Sequence, residues 1–195
     1  WITCDDRLMR ERAEQVLEGS RILQYLTEAS QCVIAVEEDM PEAIQALRDA
    51  DPGDIEIVPV PAIYPQGGEK QLIQTLTGKE VPSRGLPIHI GMLVHNVATV
   101  VAIYRAVLRG EPMTSRIVTV TGQLTSPGNF EVLVGTPMSY LLKQAGWQAS
   151  DEQQILMGGP MMGLELTSVT LPVIKVTNCL LVQPRPMRST ELPCI

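Results

Sequence analysis

The sequence predicts an α/β protein in two parts: a parallel-sheet, Rossmann-like domain over residues 1–112 and a small β domain over residues 113–168, with a tail over residues 169–195. Two patterns predict this class. In the first part, short apolar strands alternate with helical segments through short loops, which is typical of a parallel sheet with right-handed crossovers. After Gly110-Glu-Pro112 the pattern changes to a hairpin, a helix and a further strand. The change places the boundary between the two parts near residue 112.

Helices and strands alternate through the first part. Apolar residues recur at helical spacing after Asp5, whereas Cys32 to Val36 is a short and wholly apolar run, as expected for a buried strand. Pro41 is well placed at the first turn of a helix, and Asp51-Pro-Gly53 ends that helix. In chain order, the predicted elements are a helix over 5–29, a strand over 32–36, a helix over 41–50, a strand over 55–60, a helix over 69–76, a strand over 91–94 and a helix over 96–109.

The second part has the element order of a small, ubiquitin-like β-grasp. Ser115 to Gly122 alternates as a half-buried strand should, and a turn at Ser126-Pro-Gly-Asn129 joins it to a partner strand. Pro137 lies at the start of a helix for which Gly146 is the expected C-cap. The predicted elements are strands over 115–122 and 130–134, a helix over 136–145 and a strand over 155–157. The tail adds strand-like runs over 173–176 and 178–182, followed by a linker.

Composition excludes several classes of function. The net charge of −7 argues against nucleic-acid binding, because affinity for a phosphate backbone is built from clustered Lys and Arg. The longest apolar runs fall far short of the roughly 20 residues that span a bilayer, so we expect no direct membrane span. The four cysteines show no C-x-x-C spacing. No metal site can be read from them alone, and they favour a reducing, cytoplasmic setting.

The first candidate site is the predicted strand-to-helix junction Tyr64-Pro-Gln-Gly-Gly-Glu-Lys-Gln-Leu72. Gly67 and Gly68 lack side chains and would let a ligand approach the backbone, and Glu69 and Lys70 follow at the helix start. An ordinary turn, with Glu69 complementing the helix dipole, explains the same residues. The segment has neither the G-x-x-x-x-G-K-[ST] of a P-loop nor the G-x-G-x-x-G of a dinucleotide fold, so both of those sites are excluded.

The second candidate site is Leu93-Val-His-Asn-Val-Ala-Thr99, also predicted as a strand-to-helix junction. His95, Asn96 and Thr99 could all bond phosphate or ribityl oxygens. Asn96 could equally be the helix N-cap, which needs no ligand. His95 is assigned no acid-base role, and no catalytic side chain is predicted anywhere in the chain.

Two further motifs have competing interpretations. Asp5-Asp6-Arg7 could supply carboxylates to a metal, but adjacent side chains diverge, which favours a capped helix start with a local ion pair. Gly158-Gly-Pro-Met-Met-Gly163 resembles a phosphate loop but has no Lys and no clear helix after it. A tight connection carrying flexible methionines is the better interpretation.

Both junctions resemble the flavin-binding subunit of respiratory NADH dehydrogenases. With Ile2-Thr-Cys-Asp-Asp-Arg-Leu-Met9 and the Gly158 to Gly163 motif, nearly the whole chain resembles the C subunits of Rnf/Rsx membrane electron-transport complexes. The resemblance implies that FMN and NADH bind at Tyr64, Gly67, Gly68, Glu69, Asn96 and Thr99. Lys70 and His95, which lie beside them, are further candidate contacts of the cofactors. Gly68, His95 and Ala98 depart from the residues that NADH dehydrogenases have at these positions.

The resemblance also implies partners and a location. It predicts an electron-transfer subunit that oxidises NADH at FMN and passes electrons to 4Fe-4S clusters, with other membrane subunits and NADH or ferredoxin as partners. Such a subunit would lie peripherally on the cytoplasmic face of the bacterial inner membrane. Cys194 would be a 4Fe-4S ligand only in a longer protein, since Leu192-Pro-Cys-Ile195 matches the start of a ferredoxin-like segment. Cys4, Cys32 and Cys179 are expected to be small buried residues.

We expect the 195 residues to be an interior fragment that is inactive and binds flavin weakly or not at all, because the family's phosphate loop and acidic segment would precede Trp1. Two other functions remain open. One is a docking module for partner subunits. The other is a domain that binds a small ligand without turnover.

Overall fold

The computed structural model describes residues 2–186, and these divide into two compact units. One is Asp5–Met113, here called the parallel-sheet unit. The other combines residues 2–4 with residues 114–186 and is here called the mixed-sheet unit. The predicted α/β class is confirmed, because helices accompany a parallel sheet in one unit and a mixed sheet in the other.

A two-stranded parallel sheet organises the first unit. Strand β1 (Val33–Glu37) pairs in parallel with β2 (Glu56–Val60), and the two are connected through helix α3 (Pro41–Ala50). Two parallel strands that follow each other in the chain need a crossover connection, and helix α3 provides it. Ile34, Val36 and Val60 are buried along this sheet. The carboxyl ends of the two strands meet where Glu37 pairs with Val60.

The predicted helix over residues 5–29 is wrong in one respect, because the structure has two helices there. Helix α1 (Cys4–Glu11) and helix α2 (Ala13–Thr27) are separated at Arg12, whose backbone (φ −134°, ψ 36°) is not helical. An apolar spacing cannot reveal this break, because both helices keep their apolar residues on a buried side. The other helices of the unit are α4 (Glu69–Thr77) and α5 (Val97–Arg109).

Helix α5 packs on α2 at a point of very close approach. A Cβ atom placed on Gly19 of α2 would lie 2.4 Å from the carbonyl oxygen of Val100 in α5. Glycine is therefore required here by packing, despite its cost inside a helix. Val16, Leu17, Val100 and Val101 are buried on these two helices.

The predicted strand over residues 91–94 is wrong. A short 3₁₀ helix (Pro87–Ile90) precedes it and ends at Gly91, which has a positive φ of 73°. Residues 92–96 then have no regular structure, and the Leu93 side chain is 52% exposed. An apolar run becomes a strand only where a neighbouring strand accepts its backbone bonds, and none of the described strands lies beside this one. Only the first junction therefore follows a strand.

Five strands form the sheet of the second unit, in the order β4-β3-β7-β5-β6. Their ranges are β3 (Ser115–Gly122), β4 (Gly128–Leu133), β5 (Gln153–Met157), β6 (Leu164–Glu165) and β7 (Cys179–Pro184), and helix α6 (Met138–Gln144) follows the β3–β4 hairpin. Strand β7 lies at the centre, parallel to β3 and antiparallel to β5. The buried core between the sheet and α6 includes Val118, Val120, Leu141, Leu142, Val173, Leu180 and Val182.

The predicted strand over residues 173–176 is also wrong. Thr177 closes a turn there, because its N–H donates to the carbonyl of Ile174 at 2.9 Å and its hydroxyl accepts from the N–H of Ile174 at 3.1 Å. Val173, which begins this run, instead exchanges backbone bonds with the chain before α6: Gly135 N–H donates to its carbonyl, and its N–H donates to Thr136. The apolar character of the run comes from the buried Val173, not from a strand.

Candidate functional site

The first junction begins at the carboxyl edge of the parallel sheet. Strand β2 ends at Val60, whose carbonyl accepts a hydrogen bond from the N–H of Glu38 at 2.9 Å. The loop over residues 61–68 leaves from this point and leads to the start of α4 at Glu69. Ligands of open parallel sheets bind at this edge, where helix N-termini present their free N–H groups. The loop thus stands where a nucleotide site is expected.

Most side chains of this loop face solvent. Tyr64 is 62% exposed, and the peptide bond that joins it to Pro65 is cis. Gly67 and Glu69 are exposed, whereas Gly68 and Lys70 are half-buried. Gly68 is the N-cap of α4, and no described side chain caps the helix there. The first N–H groups of α4 therefore remain available to an anion or a polar ligand.

Gly67 differs from Gly68 in the space around it. A Cβ atom on Gly67 would have no described atom within 4 Å, and its φ lies outside the left-handed region. A Cβ atom on Gly68 would lie 2.3 Å from Oε1 of Gln71, which is the end of a flexible side chain. Neither packing nor backbone strain explains the glycine at position 67, so open space over the backbone is its distinguishing feature.

One side chain of the loop is buried. Gln66 is 6% exposed, and its Oε1 accepts a hydrogen bond from the hydroxyl of Thr75 at 3.2 Å. Its Nε2 is buried and has no hydrogen-bond partner among the described residues. Gln66 is not among the site residues predicted from the sequence, since a single glutamine in a polar loop carries no periodic signal of burial.

At the second junction Asn96 is the N-cap of α5, as one of the two interpretations holds. Its Oδ1 accepts from the N–H of Ala98 at 2.9 Å, and its Nδ2 donates to Oδ2 of Asp5 at 2.6 Å. The link to Asp5 spans most of the parallel-sheet unit in sequence and could not be foreseen from spacing. His95 is exposed and Thr99 is half-buried in the first turn of α5. The amide of Asn96 is already engaged at both ends.

Replacing Asn96 should separate the cap from the link to Asp5. We expect Asn96→Ala to cost about 1 kcal/mol more in unfolding free energy than Asn96→Ser, because serine keeps a capping oxygen and alanine does not. Both variants lose the bond to Asp5. Urea denaturation followed by circular dichroism measures the difference. Equal losses in the two variants would mean that the Asp5 bond, not the cap, holds the start of α5.

The two junctions lie in the same unit, but each makes its own contacts. Loop residue Gln66 bonds to α4, whereas Asn96 bonds to Asp5 near the start of α1. Helix α5 packs chiefly on α2 rather than on α4. That residues of both junctions bind the same FMN and NADH therefore stays a prediction.

An acidic turn borders the same sheet edge. Glu37 ends β1, and Glu38 and Asp39 follow it. Burial raises the pKa of Glu37, and the nearby charge of Asp39 raises it further. The ionised form of Glu37 is therefore less favourable in the folded protein than in the unfolded chain.

This shift predicts a pH dependence of stability. An acid whose pKa is raised on folding costs stability as pH rises from its ordinary value of 4.5 through the raised value. We expect Glu37→Gln to gain stability relative to the wild type as pH rises from 4.5 through the raised pKa of Glu37, because glutamine stays neutral. Urea midpoints across that range measure it, with the exposed Glu38→Gln as the matched control. Equal pH dependence in both variants would contradict burial as the cause.

The described residues contain no group of three or more His, Cys, Asp or Glu that could hold a metal ion. Asp6 pairs with Arg10 at 3.4 Å, in agreement with a helix start that carries a local ion pair. Cys4 and Cys179 are buried as expected, and burial raises the pKa of Cys179 to about 12. Cys32 is only half-buried, which corrects the expectation for that residue. Cys194, the predicted 4Fe-4S ligand, lies outside the described residues.

The Gly158 to Gly163 motif forms a tight connection between β5 and β6. The N–H of Gly163 donates to the carbonyl of Gly159 at 2.7 Å, and a Cβ atom on Gly163 would lie 2.5 Å from that same oxygen. Met161 and Met162 are 69% and 79% exposed at its tip. The interpretation as a tight connection is confirmed.

Comparison with known families decides the affiliation of the chain. A family model described as the Nuo51 FMN-binding domain matches residues 1–105, which is more than half of the chain. The chain belongs to this family. A second model, described as the SLBB domain, matches residues 117–165 in the mixed-sheet unit.

Relatives of this Nuo51-type chain confirm the resemblance that its motifs suggested. It is 48% identical over 184 residues to the C subunit of the ion-translocating oxidoreductase complex of Erwinia tasmaniensis, a match covering 93% of this chain and 23% of that relative. It is 50% identical to the protein of the same name from Haemophilus influenzae, covering 93% of this chain and 28% of the relative. The chain thus spans less than a third of the length of either relative.

Solved structures share the fold of this Nuo51-type chain. A crystal structure of an NAD⁺-reducing NiFe-hydrogenase in the H₂-reduced state matches with a TM-score of 0.72 and 20% identity, covering 91% of this chain and 37% of that one. At this identity the likeness concerns the fold alone. In the part of the chain that the structure describes, no helix is both long and apolar enough to cross a membrane.

Proposed function

We propose that this chain is the FMN- and NADH-binding part of an electron-transfer subunit in an ion-translocating oxidoreductase complex. The observation that carries the proposal is the match of the Nuo51 FMN-binding family over the unit that contains the loop of Tyr64 to Glu69 at the carboxyl edge of its parallel sheet. In this proposal the longer subunit also holds 4Fe-4S clusters, with Cys194 as a ligand. Other members of the complex and NADH or ferredoxin are its partners, on the cytoplasmic face of the membrane.

The loop geometry fits a flavin and a nucleotide. The open space beside Gly67 admits a planar ring close to the backbone, and the uncapped start of α4 offers N–H donors to oxygen atoms. The exposed ring of Tyr64 is free to lie against an aromatic ligand. Glu69, exposed in the first turn, can accept hydrogen bonds from ribose hydroxyls.

The remaining proposed contacts supply charge and placement. Lys70 is half-buried at the helix start and provides a cation for a phosphate, and the hydroxyl of Thr99 can donate to phosphate or ribityl oxygens. His95 is exposed beside Asn96, and Asn96 joins the site by giving up its bond to Asp5. When bound, FMN supplies the redox chemistry, since it takes two electrons from NADH and releases them singly. The protein side chains bind and orient, and none is proposed to act as an acid or base.

The fold type of each unit is also part of the proposal, and it is inferred from strand order and pairing. A β1-α3-β2 crossover with parallel pairing supports a Rossmann-like parallel-sheet unit. In the other unit, the hairpin, the following helix and the central parallel pair β3–β7 support a β-grasp of the SLBB type.

Flavin reduction tests the proposed function. The full-length subunit that contains this chain is purified, loaded with FMN and mixed with NADH under anaerobic conditions. We expect the flavin absorbance near 450 nm to bleach, and we expect residues 1–195 alone to bind FMN at least about tenfold more weakly, or about 1.4 kcal/mol. A full-length subunit that neither binds nor bleaches FMN would refute the proposal and favour a docking module or a ligand sensor.

A further inference from the structure

We propose that Gln66 is a positioning residue that fixes the ligand-binding loop onto α4 through Thr75, and that it is kept for this placement rather than for stability. The inference rests on the proposed function of the loop. It concerns a side chain that is only 6% exposed, with a buried Nε2 and with Oε1 bonded to Thr75.

The burial pattern singles out this residue. Residues 61–65 are exposed, as are Gly67 and Glu69, whereas Gln66 is only 6% exposed. Gln66 is therefore the one side chain of the loop that is buried in the interior of the unit. Its Oε1 accepts from the hydroxyl of Thr75, about one and a half turns into α4, so the bond joins the loop to the helix that it precedes.

Backbone bonds carry this anchor to the neighbouring residues. The N–H of Gln66 donates to the carbonyl of Ile63 at 2.8 Å, and the N–H of Gly68 donates to the carbonyl of Pro65 at 2.8 Å. Gln66 belongs to both of these overlapping turns, which cover residues 63–66 and 65–68. Placing Gln66 therefore places Tyr64 before it and the start of α4 after it.

The unpaired amide argues that stability is not the reason for a glutamine here. Nε2 is buried with no partner in the described part of the chain, and an unsatisfied buried donor destabilises a fold. A methionine of similar length would fill the same space without that penalty. Residues that lower the stability of a fold but hold a ligand-binding segment in position are typical of functional sites.

The test uses Gln66→Met and Thr75→Val in the full-length subunit, singly and together. Gln74→Met is the matched control, because Gln74 is exposed on the same helix. We expect each single variant to weaken FMN binding about tenfold and the double variant to be no worse than either, because both break one link. The melting temperature should be unchanged or higher in Gln66→Met. The proposal would be overturned if FMN affinity were unchanged in the single variants, or if their losses of affinity added up in the double variant. It would also be overturned if the loss of affinity accompanied a lowered melting temperature.

A second readout does not depend on flavin. Amide hydrogen exchange in the unliganded protein should become at least about tenfold faster at Gly68 in Gln66→Met, while later amides of α4 stay protected. Faster exchange in a protein whose wild type binds no FMN would refute the proposed function and leave the positioning role standing. Unchanged exchange at Gly68 would overturn the positioning role whether or not FMN binds.

Discussion

Gly122→Ala should destabilise the mixed-sheet unit by roughly 4 kcal/mol or more, a loss that is exceptional for a single substitution. Gly122 ends β3 directly opposite Val182 of the central strand β7. An added Cβ atom would lie 1.9 Å from the carbonyl oxygen of Val182, well inside the distance at which atoms repel. The same oxygen also accepts a hydrogen bond from the N–H of Gln123 at 2.8 Å. Strands β3 and β7 therefore cannot move apart to make room without losing this hydrogen bond.

A second glycine of the same unit isolates the steric part of this effect. Gly135 has a φ of 98°, close to the 102° of Gly122, but an added Cβ atom there would have no described atom within 4 Å. Gly135→Ala should therefore show only the backbone strain, roughly 1–3 kcal/mol. Urea unfolding of the unit, followed by the fluorescence of Trp147 in a Trp1→Phe background, measures both. Equal losses would show that the contact with Val182 is relieved by small shifts.

The strand that ends at Gly122 shows what the sequence could and could not predict. Its existence follows from its alternating pattern, and the structure has it over Ser115–Gly122 as predicted. Its central neighbour could not be predicted in the same way, since the pairing between β3 and β7 joins residues some 60 positions apart in sequence. The local pattern was enough to predict this strand, whereas sheet order depends on contacts that no local window contains.

The errors have a common physical cause. Residues 91–94 and 173–176 are apolar runs with the composition of strands, yet the first follows a 3₁₀ turn and the second closes a turn at Thr177. A strand needs a partner for its backbone groups, and composition does not reveal a partner. The break at Arg12 was missed for a similar reason. Helices α1 and α2 each bury one side, and together their apolar residues have the spacing of one continuous helix.

The candidate site divides in the same way. Tyr64, the two glycines and Glu69 could be selected from the sequence because a helix start with glycines before it has a recognisable composition. Gln66 and the bond from Asn96 to Asp5 could not, because they depend on how the loop folds back and on a contact across 91 positions. The motif therefore indicates where a ligand would bind, and the tertiary contacts indicate what holds the motif in place.

Gly67→Val should weaken FMN binding to the full-length subunit about 100-fold, or roughly 2.8 kcal/mol, without lowering its melting temperature. The two effects are expected to separate because an added side chain would begin in open space in the free protein. No described atom lies within 4 Å of an added Cβ atom, and the backbone of Gly67 is not in the left-handed region. Only a ligand lying against the backbone would meet the new methyl groups.

A size series makes this expectation quantitative. Gly67→Ala adds one carbon and should fall between the wild type and Gly67→Val in FMN affinity, as measured by quenching of flavin fluorescence. Gly128→Ala in the mixed-sheet unit is the control outside the proposed site, because its added Cβ atom would meet only Cε2 of Phe130, at 3.9 Å. A graded loss at position 67 with constant melting temperature would place the flavin over this backbone. Full affinity in Gly67→Val would remove the loop from the flavin site, whatever the family resemblance implies.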